Sequence, residues 1–390
     1  MRRLFLILTA LIAAAFLFLT LEPPRSEEAA LARVERLARN TTEAGHWPAL
    51  SVAYVAPGEV IWAESFGQAD IATARAMTPE TPMPIGSISK VIIGLTAALE
   101  AEDGFDLDAP LADYWPGVPE TVAAVTFRQL ATHTGGIADT ERGYEGAAYA
   151  QNTLRHPTAL ADYLESYLTP EGALFDSTAI TAPGTAHAYS NVGAALAAQA
   201  LGEASGTDFA SLSQNRVLEP LGLTQATWDA TTLPPNTRAT LYRHRDGAFE
   251  PLAPYALATW PDGGLNASLN DLATLLAVMM SGGTLDGDRL LPQDAIARQR
   301  DISSSGLRNM APGQGEGLFW AFESLDFPGL TIPVEGHSGG DPGLLTMMYR
   351  IGGTNRGFVL MINGYRESDW TLLQGGRLIA NLARAARLVR

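Results

Sequence analysis

The stretch from Val91 to Leu99, Val-Ile-Ile-Gly-Leu-Thr-Ala-Ala-Leu, contains no charge and reads as a helix apolar on nearly every side. Such a helix must be surrounded by other elements. Immediately before it stands Lys90, the only lysine among 26 basic residues; the rest are arginine. A chain that uses arginine for every other positive charge has kept one side chain able to act as a base; the alternative is a surface serine and lysine that meet by chance. Arginine keeps its proton in proteins, whereas a buried or crowded lysine can release one. Ser87 precedes Lys90 by three residues, so a helix beginning at the serine places hydroxyl and amine one turn apart. The same helix would aim its positive N-terminal end at whatever the serine attacks.

The elements on either side can be ordered from the sequence. Residues 26–44 are amphipathic, with Leu31, Val34, Leu37 and Ala38 at helical spacing. Leu50–Val55 and Val60–Phe66 predict a hairpin turning at Pro57-Gly58. Helical patterns then dominate from about residue 87 to 222, with the first of these helices ending near Asp103-Gly104 and others expected at 126–132, 158–168, 192–203 and 209–218. Beyond them, 270–280 predicts a helix capped by Asn270, and 317–323, 344–350 and 357–363 predict strands. A final amphipathic helix covers 370–389. Strands at both ends with helices between them imply an α/β lobe, about 26–86 and 250–390, into which a helical lobe, about 87–249, is inserted. Ser87 falls at their junction, where pockets tend to form.

Bulk properties exclude several classes. A net charge of −16 and a pI near 4.8 leave no basic face for nucleic acid. With no cysteine there is no thiolate nucleophile, disulfide or cysteine metal site. No H-E-x-x-H or comparable ligand spacing occurs, so neither metal nor cofactor is expected. At the N-terminus, Met1-Arg2-Arg3 leads into an apolar run from Leu4 to Leu21 broken only by Thr9 and Thr20. As a helix that run spans roughly 27 Å, about a bilayer core. Residues 1–25 are expected to be an uncleaved membrane anchor holding residues 26–390 outside the cytoplasm, on the inner membrane; the alternative is a cleaved signal and a periplasmic or secreted body. The oligomeric state is left open.

A serine nucleophile needs a base, a group to tune that base and donors for an oxyanion. Three patches offer these. The first is Ser87 with Lys90. The second is Tyr189-Ser190-Asn191, where a phenol near a cation can take a proton and an amide can hold a substrate amide. The third is Glu335-Gly336-His337-Ser338-Gly339-Gly340-Asp341-Pro342-Gly343, whose glycines permit close backbone approach, as a turn or as a strand edge donating an N–H. His337 has an ordinary pKa near 6.5, which would place an ionisation at about 6 to 7. His133 and His187 are read as structural.

In this order, S-x-x-K, then Y-x-N, then a glycine-flanked basic residue, the chain resembles the penicillin-recognising serine enzymes. It is similar to the branch with tyrosine in the middle motif: class C β-lactamases, D-Ala-D-Ala carboxypeptidases and the related esterases and D-aminopeptidases. Phe127–Ile137, Leu218–Leu223 and Asp262-Gly263-Gly264-Leu265 extend the likeness, which covers roughly residues 45 to 365. The resemblance implies a mixed α/β fold of the β-lactamase/transpeptidase type, an antiparallel sheet flanked by helices plus the helical lobe. It further implies Ser87 as the acylated nucleophile and Lys90 with Tyr189 as a proton relay in which Tyr189 is the direct base. Asn191 would hold the substrate amide, and the N–H groups of Ser87 and Gly340, in the Gly339-Gly340 segment, would receive the oxyanion. His337 stands where the lactamases have lysine, which points away from efficient β-lactam hydrolysis. The expected activity is hydrolysis, through an acyl-enzyme, of small amides, peptides or esters, including peptides of D-amino acids. Alternatives on the same site are a non-hydrolytic binder of penicillin or peptidoglycan fragments, a β-lactamase and an acyl-transferring tailoring enzyme.

Overall fold

The computed structural model describes residues 24–389 apart from 145, 303–309, 311–313, 328, 367 and 368. The expected N-terminal anchor lies outside the described residues, and among these no helix is long and apolar enough to cross a membrane.

Helix α1 (Glu27–Glu43) starts at Ser26, whose side chain accepts the N–H of Ala29, and buries Ala30, Val34 and Ala38. The hairpin follows as β1 (Ala49–Ala56) and β2 (Glu59–Asp70), with a short β3 (Arg75–Ala76). The helices of the middle of the chain are α2 (Ser89–Glu100), α3 (Phe127–Ala131), α4 (Leu160–Leu168), α5 (Asn191–Ser205) and α6 (Phe209–Ser213). Two more, α7 (Leu269–Ser281) and α8 (Gln293–Gln299), precede β4 (Gly315–Glu316), β5 (Ala321–Phe327), β6 (Leu330–Asp341), β7 (Leu344–Ile351) and β8 (Gly357–Ile362). Helix α9 (Asp369–Leu388) closes the chain.

The strands form one antiparallel sheet in the order β4-β5-β6-β7-β8-β1-β2-β3. The two ends of the chain meet at its centre, where Leu50, Val52 and Tyr54 of β1 face Ile362, Leu360 and Phe358 of β8. Alternation along β1 separates two cores. Leu50, Val52 and Tyr54 join α1 and α9 on one face, while Ala49, Ala53 and Val55 join α7 and the middle helices on the other. Buried on both faces, β1 has no exposed residue.

Helix α2 is buried at every position from Ser89 to Leu99, as its composition requires, and packs against α5 and α8. It ends through a 3-10 turn at Gly104, which takes the left-handed conformation. Several details differ from expectation. Helix α7 is capped by Ser268 in a reciprocal box with Asp271, two residues before Asn270. The strand expected at 317–323 is offset to β5. Residues 242–245 and 248–251 form a hairpin that pairs in parallel with Gly364–Tyr365, so strand structure is already present within the stretch expected to be helical up to 249.

Candidate active site

Ser87 lies in a 3-10 turn, Gly86–Ile88, that leads directly into α2. The turn is held from two sides. Ile85 donates its N–H to Leu265 O at 2.9 Å, and Thr346 of β7 donates its hydroxyl to Ile85 O at 2.7 Å. One turn on, Lys90 is wholly buried. Its Nζ donates to Ser87 Oγ at 3.1 Å, to Asn191 Oδ1 at 2.7 Å and to the backbone carbonyl of Asp262 at 2.7 Å. An ammonium has three protons, and each has an acceptor here. The nitrogen also sits 5.0 Å from the centre of the Tyr189 ring, within cation–π range.

Asn191 and Tyr189 arrive on the N-terminus of α5. Ser190 caps that helix by accepting Gly193 N–H at 2.8 Å. Asp139 braces the same end: its carboxylate accepts the N–H groups of Asn191 at 2.8 Å and Val192 at 3.1 Å and the hydroxyl of Ser190 at 3.1 Å. Tyr189 is 44 % exposed, at the mouth of the site. His133 holds the residues on both sides of it, its carbonyl accepting Ala188 N–H at 2.8 Å and its Nδ1 accepting Ser190 N–H at 3.2 Å. Burial, with Lys90 and the other histidines adding to it, pushes the His133 pKa well below its ordinary value. The ring is therefore neutral, and Nδ1 is free to accept.

The glycine-rich patch is the end of strand β6 rather than a turn. Strand β5 pairs with β6 only as far as Gly336, whereas β7 pairs with it to Asp341. From His337 onward the second edge of β6 therefore faces the Ser87 turn instead of another strand. The approach is so close that a Cβ on Gly339 would lie 2.1 Å from Ile85 O and 3.0 Å from Ser87 N, and one on Gly86 would lie 3.1 Å from Gly340 N. These contacts bring the backbone nitrogens of Ser87 and Gly340 into one neighbourhood. Glu335 anchors the strand two residues earlier, pairing with Arg300 at 2.8 Å and with Arg350. Burial alone would raise its pKa, but the two guanidinium groups outweigh it and hold the carboxyl below its ordinary value.

Strand β6 thus brings His337 to Tyr189, their ring centres 6.4 Å apart. Its Nδ1 lies 2.6 Å from Ser338 O. A carbonyl only accepts, so Nδ1 carries the proton and Nε2 keeps a lone pair. Burial, reinforced by Lys90, depresses the His337 pKa to about 4. The ionisation expected at about 6 to 7 is accordingly displaced, because a second cation cannot form cheaply beside Lys90 in a buried site. Burial pushes the carboxyl of Asp262 up to about 7, against the pull of Lys90. Among the described residues no cluster of three His, Asp or Glu side chains is placed to hold a metal ion.

All seven residues singled out in the sequence thus belong to one site: Ser87, Lys90, Tyr189, Asn191, His337, Gly339 and Gly340. Asp262 contributes through its main chain, and Asp139 and His133 through contacts that no local motif announces.

The comparisons with known proteins fit this assembly. Residues 34–379 match the family model described as Beta-lactamase. The chain belongs to the beta-lactamase family. This is a family of serine hydrolases that takes in D-aminopeptidases, penicillin-binding proteins and carboxypeptidases. Similar members include a penicillin-binding protein of Bacillus subtilis, 24% identical over 331 residues, or 80% of this chain and 67% of the relative. A D-aminopeptidase of Brucella anthropi is 27% identical over 196 residues, 50% of this chain but only 36% of the relative's length. Among solved structures, the D-amino acid amidase of Ochrobactrum anthropi superposes with a TM-score of 0.69 at 20% identity, covering 92% of this chain and 99% of the other. That likeness establishes the β-lactamase-type fold.

Proposed function

We propose that this family member is a serine hydrolase that acylates Ser87 with small amides, peptides or esters, including those of D-amino acids, and then releases the acyl group to water. The observation that carries this reading is the Lys90 ammonium, buried and donating to Ser87 Oγ. With the other two protons committed to Asn191 and Asp262, the lysine supplies charge and geometry, and the hydroxyl proton of Ser87 passes to the oxygen of Tyr189, which enters the cycle as a phenolate beside the Lys90 charge. As the Oγ–C bond forms, the carbonyl oxygen becomes an oxyanion between the Ser87 and Gly340 N–H groups. Collapse breaks the bond to the amine or alcohol, which takes the proton from Tyr189. Water then attacks the ester, again giving its proton to Tyr189, and Ser87 recovers its own.

The character of His337 supports amides and esters over β-lactams. A lysine at this point would offer a cation to a substrate carboxylate. A neutral imidazole with Nδ1 bound to Ser338 O offers an acceptor instead.

The test is labelling with a fluorescent fluorophosphonate alongside turnover of a D-alanyl p-nitroanilide and a p-nitrophenyl ester. Ser87→Ala is expected to lose both label and turnover; a variant that still takes the label would mean that the nucleophile lies elsewhere. We also propose that the run Leu4–Leu21 tethers the enzyme to the membrane, which extraction of the full-length protein with alkaline carbonate and with detergent would check.

A further inference from the structure

Beside the catalytic turn lies a cavity of about 450 Å3 that none of Ser87, Lys90, Tyr189, Asn191 or His337 lines. It nevertheless shares a wall with the site. Pro84, Gly263, Gly264 and Tyr255 face into it. Gly263 follows the residue whose carbonyl holds Lys90, and Tyr255 donates its hydroxyl at 2.6 Å to Asp341, the neighbour of Gly340. At Gly263 the wall is thin: an added Cβ would sit 3.7 Å from the Gly86 carbonyl carbon and 3.5 Å from Leu257 Cδ1.

The interior of the cavity combines aromatic walls with unmet polar groups. Trp228 and Trp260 meet edge to face at 5.2 Å. Arg238 also lines it, with its Nε buried and lacking a hydrogen-bond partner, and among the described residues no carboxylate pairs with its guanidinium. Burial lowers its pKa, the sign of a cation that has lost water without gaining an anion. The cavity's own acids are engaged elsewhere. Asp208 accepts the N–H and hydroxyl of Ser211 at 3.0 and 2.7 Å, and Asp229 those of Thr231 at 3.0 and 2.6 Å, with Arg155 at 3.5 Å. Asn266, 4% exposed, uses its Nδ2 on Gly264 O at 3.3 Å and leaves Oδ1 without a donor.

A desolvated guanidinium costs free energy unless an anion meets it, and its planar fork matches a carboxylate. Indole walls take up an apolar body. We propose that this cavity is the acyl subsite of the enzyme and selects acyl groups with an apolar chain ending in a carboxylate, which pairs with Arg238. The placement divides the labour of recognition: the neutral His337 offers no cation to an anion, and the acid end of the substrate is met by Arg238 in the cavity. The inference rests on Ser87 being the nucleophile, since only then does an acyl chain leave the reacting carbonyl toward Gly263.

Matched p-nitrophenyl esters test it: hexanoate against the mono-ester of adipic acid, equal in chain length and differing in the terminal carboxylate, with acetate as the short reference. The wild-type enzyme is expected to favour the adipate ester in kcat/KM by at least about tenfold, the weight of one charge-assisted pair. Arg238→Gln should bring that ratio to within about twofold of one. Gly263→Leu, whose Cβ makes only ordinary contacts, should lower the hexanoate-to-acetate ratio by about tenfold by projecting a side chain from the shared wall into the cavity. Equal rates on adipate and hexanoate in the wild type, or a preference that survives Arg238→Gln, would overturn the subsite while leaving acylation of Ser87 standing. Hydrolysis of the hexanoate ester by Ser87→Ala at the wild-type rate would instead remove the nucleophile on which it depends.

Discussion

The imidazole of His133 lies against the phenol ring of Tyr189, centroids 4.4 Å apart and planes tilted by 37°. Together with its two hydrogen bonds to the flanking backbone, this makes His133 a positioning residue for Tyr189. The residue adopts φ of 52°, a left-handed conformation that asparagine tolerates and branched side chains do not. His133→Asn keeps an acceptor close to Ser190 N–H, whereas His133→Leu removes it. The expected outcome is a kcat loss of about tenfold or more in His133→Leu, substantially recovered in His133→Asn, with KM changing less. Equal losses in both, tracking their melting temperatures alone, would leave His133 with a merely structural role.

Lys90→Arg should be nearly as damaging as Lys90→Ala. The pocket around Nζ is closed, with three acceptors converging on a single nitrogen, and a planar guanidinium cannot satisfy them from the same point. Overpacking should also cost about 1–3 kcal/mol of stability. Turnover by Lys90→Arg above about a tenth of the wild-type rate would show that positive charge alone suffices there.

The pH dependence of kcat/KM should contain an inflection near 7 that belongs to Asp262. Its folded pKa is raised from 3.8 to about 7. Any stability it contributes is therefore present below the lower value and lost as pH rises through the upper one. For His337 the folded pKa is depressed from 6.5 to about 4, so its contribution is present above 6.5 and lost as pH falls through about 4. Asp262→Asn should abolish the inflection near 7, and His337→Gln should retain it while flattening the acid limb of stability measured by urea unfolding. A profile in which His337→Gln alone removes the neutral inflection would reverse the assignment.

Two adjacent glycines should behave differently. An alanine Cβ at 339 would collide with Ile85 O, pushing the Ser87 turn away from β6, whereas at 340 it would meet nothing within 4 Å. Gly339→Ala is expected to lose roughly 2 kcal/mol or more of stability and nearly all turnover. Gly340→Ala keeps its N–H and should stay within about threefold of wild type toward small esters. Similar effects at both positions, read by thermal melts and kcat/KM, would mean that the close approach is not what the glycine at 339 serves.

The sequence exposes some of this site and hides the rest for physical reasons. Ser87, Lys90, Tyr189 and Asn191 can be read because helical spacing and a distinctive amine leave traces in local residue order. That both chain ends contribute strands to one α/β lobe can be read because β1 and β8 are largely apolar runs lying on either side of the helical block. Strand β6 resists reading: Pro333, Glu335 and three glycines break its alternation, and Glu335 is buried only because Arg300 and Arg350 neutralise it. The third partner of Lys90 is a main-chain carbonyl, which any residue at 262 would supply, so side-chain identity carries no signal of it. Asn270 and Ser268 are both competent caps, and Asp271 three residues after the serine decides between them.

The three acceptors around Lys90 belong to stretches of chain lying before, about a hundred residues beyond, and well past the middle of the sequence. A single ammonium therefore fastens three separate stretches of chain to one another, and it can do so only after all three have folded into place. Fragments obtained by cutting the chain between Asn191 and Asp262 would each lack part of that coordination. Reassembly of such fragments would be reported by the return of a reactive serine, which makes acylation a direct readout of tertiary assembly.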